Sequence, residues 1–92
     1  MKKSGVYILQ SVKNSTYYIG STDDFSRRIF QHDKGLVSAT KNLLPMVAKV
    51  FLPCESISEA RRAERRLKSY KRRDILERVI IDKTFPWNYR RL

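Results

Sequence analysis

The sequence predicts an α+β fold: a three-stranded antiparallel sheet flanked by helices, in the order β-β-α-β-α-α. Three observations carry this. Two β-rich segments, residues 5–10 and 16–21, lie close enough to form one hairpin. A third apolar run, Met46 to Leu52, is bracketed by Pro45 and Pro53. Elsewhere apolar residues recur at helical spacing. At 92 residues the chain has room for one domain (1–92, with a short basic and aromatic C-terminal tail), and 41% hydrophobic residues suffice for one modest core.

Gly5-Val6-Tyr7-Ile8-Leu9-Gln10 is β-branched and aromatic, as is Thr16-Tyr17-Tyr18-Ile19-Gly20-Ser21; Ser11 to Ser15, with Lys13-Asn14, reads as the turn between them. Thr22 or Asp23 caps a first helix, with Asp23 and Asp24 in its first turn. It runs to about Lys34, where Gly35 ends it. Phe25 and Ile29 form its apolar stripe, and Arg28 and His32 a polar pair at the same spacing. Residues 36–44 read as a loop. Ser56-Ile57-Ser58-Glu59 is a capping box that opens a helix from about 57 to 72, with Ala60, Ala63, Leu67 and Tyr70 as its stripe. Asp74 caps a further helix to about Asp82, with Ile75, Leu76, Val79 and Ile80 inward. A basic and aromatic tail, Thr84 to Leu92, follows.

Twenty Lys and Arg against nine Asp and Glu give a net charge of +11. That is the electrostatic footprint of a nucleic-acid binder, although an unselective basic surface, such as a ribosome-associated protein has, would produce it too. A membrane-surface role fits less well, because the basic helix has a thin apolar stripe without a bulky aromatic face. The single cysteine, Cys54, excludes an intrachain disulfide and a cysteine-cluster metal site and suits a reducing cytoplasm. The apolar run behind Lys2 and Lys3 is too short for an export signal, and no stretch approaches transmembrane length.

The chemistry-bearing residues are few. Tyr7 and Tyr18 each sit inside a strand, and a phenol can exchange a proton or hydrogen-bond a phosphate. From Arg61 to Arg73 there are eight basic residues and one acid, Glu64, which leans toward the apolar stripe. An ordinary helix would use that carboxylate in an ion pair with Lys68, four residues on. A divalent cation would use it as a hard oxygen ligand, with phosphate supplying others. Arg28 and His32 are a solvated surface pair unless they face the tyrosines, in which case they become phosphate- and proton-handling groups.

Taken together, Gly5-Val6-Tyr7, Tyr18-Ile19-Gly20, Asp23 to His32 and Ala60 to Lys68 resemble the GIY-YIG nuclease superfamily, over about residues 5–83. The likeness is to its small single-domain bacterial type, related to the nuclease module of the excision-repair protein UvrC. The resemblance implies that Tyr7 and Tyr18 are the motif tyrosines, Arg28 the arginine of the first helix, His32 the polar group one turn on, and Glu64 the ligand of one Mg2+ or Mn2+. Two departures stand out. Valine replaces isoleucine in the first motif, and Asn88 is only a weak counterpart of the asparagine the family often uses near its end.

The implied activity is metal-dependent endonucleolytic hydrolysis of DNA, structure-selective or of low specificity, in repair or recombination. Arg27, Arg61, Arg62, Arg65, Arg66, Lys68, Lys71, Arg72 and Arg73 would bind the backbone. A second copy of the chain or a repair protein is a candidate partner. The alternatives are a non-catalytic nucleic-acid-binding module on the same scaffold and a structural component of a repair or ribosomal assembly. Two requirements follow from the nuclease reading. Tyr7 and Tyr18 must share one face of the sheet. For Tyr7 to act as a base, its pKa must fall from about 10, with Arg28 and the metal pushing it down.

Overall fold

The computed structural model describes residues 3–88, so the end of the aromatic tail, Tyr89 to Leu92, lies outside the described residues. The elements are β1 (Gly5–Ser11), β2 (Tyr17–Thr22), α1 (Phe25–Asp33), β3 (Met46–Pro53), α2 (Ile57–Ser69) and α3 (Arg73–Asp82), with 3-10 turns at Lys41–Leu43 and Pro86–Asn88. The sheet is antiparallel throughout, in the order β2-β1-β3. This is the α+β arrangement expected from the sequence.

The central strand, β1, is apolar on both faces because both are covered. Val6 and Ile8 join Ile19, Val50 and Leu52 against Ala60, Ala63 and Leu67 of α2 and Val79 of α3. On the opposite face Tyr7, Leu9 and Met46 pack with Tyr18, Phe51 and α1's Phe25 and Ile29. One helix thus covers one face and two helices the other, with edge strand β2 between them. Tyr7 pairs with Gly20 and Leu9 with Tyr18. Both tyrosines therefore point to the α1 face, which satisfies the register requirement.

Several element ends differ from the sequence reading, each for a local reason. The cap of α1 is Asp24, whose Oδ1 accepts from the Arg27 amide at 3.2 Å. Thr22 is still in β2, its hydroxyl tied to the backbone of Asp24, and Asp23 instead takes the Arg27 guanidinium at 2.9 Å. The long basic helix stops at Ser69 rather than 72. Lys71 adopts a left-handed φ of 52° and Arg72 is extended, so a new helix can start at Arg73. Asp74 is not a cap; it lies in the first turn of α3, where a carboxylate suits the helix dipole, and holds Arg72. The Ser56 cap stands as expected, accepting from the Glu59 amide at 3.1 Å. The segment read as a plain loop carries buried Val37 and Thr40 and is anchored by Ser11 Oγ, which donates to the Leu43 carbonyl at 2.6 Å. Among the described residues no helix is long and apolar enough to cross a membrane.

Candidate active site

Tyr7 is fully buried, its ring lying across the backbone of Gly20 on the neighbouring strand. A Cβ at position 20 would come within 2.4 Å of the Tyr7 ring and hydroxyl. Glycine is therefore required there by close approach, since any side chain would occupy the volume of the phenol. Helix α1 brings Arg28 and His32, one turn apart, to the same phenol. Arg28 Nε donates to Tyr7 Oη at 3.3 Å, and Tyr7 Oη lies 2.9 Å from His32 Nε2. The other ring nitrogen, His32 Nδ1, lies 2.7 Å from Thr40 Oγ1. His32 and Thr40 are as buried as Tyr7. Gln31 steadies the arginine, its Oε1 accepting from Arg28 Nη1 at 3.1 Å. Tyr18 meets the rings of both Tyr7 and His32, at centroid distances of 6.3 and 5.3 Å.

The electrostatics differ from the expectation at Tyr7. Its pKa is raised rather than lowered. Arg28 does pull it down through its hydrogen bond and charge, but burial outweighs this, with Tyr18 and Glu64 adding to the rise. The phenol is thus protonated at neutral pH. Burial, followed by the Arg28 charge, pushes His32 below the ordinary histidine range, so its ring is neutral. A neutral imidazole has one N–H and one acceptor nitrogen. In the tautomer that carries its proton on Nδ1, His32 accepts the phenolic proton's hydrogen bond at Nε2 and donates from Nδ1 to Thr40. The result is a directed chain from Tyr7 through His32 to Thr40.

Glu64 arrives from the other side of the sheet. Ala60, Ala63 and Leu67 bury one stripe of α2, which leaves Glu64 at the edge of that stripe, beside β2. Ser21 Oγ donates to Glu64 Oε1, and Lys68 pairs with Oε2. The ordinary intrahelical pair therefore forms, and it forms at the mouth of a cleft. That cleft, about 520 Å3, wraps the edge of β2 at Gly20 and Ser21. Tyr7, Tyr18 and Arg28 line one side, and Arg61, Glu64, Arg65 and Lys68 the other. Four cations and one carboxylate face the same space, as an anionic ligand requires.

The donor set can be weighed against one divalent ion. Among the described residues there is no cluster of three or more His, Cys, Asp or Glu able to hold a metal. A magnesium-type ion, however, is commonly held by one or two carboxylates, with substrate phosphate and water as its other ligands. Glu64 with Ser21 fits such an ion once Lys68 leaves the carboxylate.

Sequence-predicted residues separate into several places. Tyr7, Tyr18, Arg28, His32 and Glu64 converge, with Arg61, Arg65 and Lys68 around them. Arg27 lines an adjoining cleft of about 430 Å3 that shares Ser21, Arg28 and Arg61. Lys71, Arg72 and Arg73 flank another hollow at the α2–α3 turn. Arg62 and Arg66 are elsewhere, in a depression with Trp87, where the Arg66 guanidinium carbon lies 4.3 Å from the indole centroid. Asn88 is exposed and is not among the described residues that line the central cleft. Sequence reasoning missed Thr40, Ser21 and Gln31. Nothing in one sequence distinguishes a loop threonine that reaches a histidine from one that does not.

The fold and the cleft together place a phenol, a guanidinium and a lone carboxylate around one electropositive edge. In the comparison with family models, the GIY-YIG catalytic domain matches residues 3–90. The chain belongs to the GIY-YIG family, a nuclease superfamily. Neither the comparison with curated proteins nor that with solved structures returned a match.

Proposed function

We propose that this protein is a divalent-metal-dependent endonuclease that hydrolyses phosphodiester bonds in DNA. One observation carries the reading. Arg28 from one face of the sheet and Glu64 from the other line a single cleft, with the Tyr7 phenol at its floor. Glu64, with Ser21 beside it, would hold one Mg2+ or Mn2+, which when bound supplies Lewis-acid polarisation of the phosphate and of the leaving 3′ oxygen.

The chain's own residues do the rest. Arg28 leaves Tyr7 for the scissile phosphate and neutralises charge in the transition state. That movement uncovers the phenol to water. A water oxygen attacks phosphorus, the P–O3′ bond breaks, and the departing 3′ oxygen takes a proton from solvent water. The proton lost by water goes to Tyr7 Oη, and the proton Tyr7 already carries goes to His32 Nε2, held in register by Thr40. In this relay Tyr7 never has to persist as a phenolate, so its raised pKa is no obstacle. Tyr18 hydrogen-bonds the phosphate through its hydroxyl. Arg61, Arg65 and Lys68 contribute phosphate contacts that carry no sequence information, so substrate choice follows backbone shape, a property suited to repair or recombination.

One observation favours the alternative, a non-catalytic binding module: both Glu64 oxygens are already engaged, by Ser21 and Lys68. Incubation with branched, nicked, linear and single-stranded DNA in Mg2+ or Mn2+ separates the two. We expect nicking that Glu64→Gln abolishes while DNA binding persists. Binding without cleavage in either metal, on every substrate, would establish the module.

A further inference from the structure

A second hollow adjoins the active-site cleft. It is about 310 Å3, lies between the start of β2 and the α2–α3 turn, and is joined to the first cleft by Lys68, which lines both. Its floor is apolar, made by Ile19, Leu67 and Leu76, and its rim is cationic. Lys71 on that rim holds a left-handed backbone and makes none of the ion pairs found among the described residues.

Arg73 is the informative residue. Its guanidinium carbon lies 4.4 Å from the centroid of the Tyr17 ring, and its Nε is 3.4 Å from a Glu77 carboxylate oxygen. The ring lies on one side of a guanidinium that remains half exposed. A guanidinium plane is a stacking surface for a nucleobase. Apolar floor, planar platform and cationic rim match the sugar, base and phosphate of a nucleotide.

We propose that this hollow is a subsite for one unpaired nucleotide next to the scissile phosphate, its base stacked on Arg73 and its phosphate on Lys68 and Lys71. The inference rests on the endonuclease reading for the phosphate in the neighbouring cleft. A paired base has its edge occupied and both faces stacked, so only an unpaired one is free to enter. The preferred substrate therefore presents an unpaired nucleotide beside the scissile phosphate.

The test measures binding in EDTA, where cleavage cannot interfere, using fluorescence anisotropy at fixed ionic strength. The probes are a blunt hairpin, the same hairpin with a three-nucleotide overhang at its 5′ or its 3′ end, and those overhangs made abasic. One base-bearing overhang should bind about tenfold more tightly than its abasic twin, which carries the same phosphates. Arg73→Lys, which keeps the charge and loses the plane, and Tyr17→Leu should each erase that difference. Arg73 is on the surface, so its variant does not threaten the fold. Equal affinity for base-bearing and abasic overhangs, or a difference that survives Arg73→Lys, would overturn the subsite. Plasmid nicking in Mg2+ or Mn2+ is scored separately. Its absence would sink the endonuclease reading and leave a base-reading subsite standing. Nicking without discrimination against abasic overhangs would remove the subsite alone.

Discussion

The two sides of the central cleft are built on different physical terms. On the α1 side Tyr7, His32 and Thr40 are buried, and their hydrogen bonds are shielded from water. On the α2 side Glu64 and Lys68 are partly open to solvent and joined by charge. Buried polar chains are costly to leave half satisfied and hold one geometry. Exposed ion pairs contribute little to stability, are screened by salt and exchange partners readily. The division suits the proposed chemistry: proton transfer needs fixed atoms, whereas a carboxylate that must release Lys68 before taking a cation needs a weak partner. Variants on the dry side should therefore change turnover and stability with little response to salt. Variants on the wet side should change binding and depend on salt.

The largest effect is expected at Gly20, where an added Cβ would run into the dry side. In Gly20→Ala the new methyl would stand 2.4 Å from the Tyr7 ring and hydroxyl, and a fully buried ring has nowhere to go. The phenol would be pushed off Arg28 and His32 together. Cleavage should drop by about a hundredfold or more, the scale of a lost acid–base group. Overpacking should cost about 1–3 kcal/mol in urea unfolding. A stable, fully active Gly20→Ala protein would show that Tyr7 does not need this position and would break the contrast between the sides.

That glycine shows how far the sequence could be read. The strands, the helices and the parity that sets Tyr7 and Tyr18 on one face follow from local signals: β-branched runs, prolines at strand ends, and a 3.6-residue stripe on α2. Glu64's lean toward that stripe was enough to carry it to β2. What local signals do not encode is contact across the fold. Thr40 reaches His32 from a loop that Ser11, far off in sequence, ties down at Leu43. Ser21 meets Glu64 only because α2 crosses the edge strand at that height. The direction of the Tyr7 shift could not be read either. Burial decides it, and burial depends on α1 closing over the phenol, whereas the sequence displayed only the arginine that pulls the other way.

The next effect is at Thr40. Thr40→Val keeps the shape and removes the hydroxyl, leaving His32 Nδ1 buried and unpaired, at a cost of about 1–3 kcal/mol. With its tautomer no longer fixed, the ring should accept less well from Tyr7. The turnover number should therefore fall about tenfold at unchanged KM, and Thr40→Ser should restore it. The pH dependence has a definite sign. The folded-state pKa of His32 is lowered, so below the ordinary histidine value of about 6.5 the unfolded chain binds the proton more readily than the folded one. This contribution to stability is full above that value and is lost as the pH falls toward the folded pKa. Urea midpoints recorded from pH 8 to 5 should decline more for wild type than for His32→Asn. Parallel curves would mean that His32 is not held neutral.

The smallest effect belongs to the wet side and tests it most directly. Lys68→Gln removes the partner of Glu64 from an exposed pair four residues apart on one helix, so stability should change by only a few tenths of a kcal/mol, near the limit of detection. Two functional consequences oppose each other. Loss of one phosphate contact should lower DNA affinity and reduce the slope of log K against log salt by about one. Release of Glu64 should let cleavage reach half its maximum at a lower Mg2+ concentration, because the cation no longer competes with an ammonium group for Oε2. Titrations of Mg2+ at saturating DNA separate the two. A curve shifted to lower Mg2+ would identify Lys68 as a gate on the carboxylate. An unshifted curve would mean that the pair seen without substrate does not persist on DNA, and that the lysine acts as a phosphate contact and nothing more.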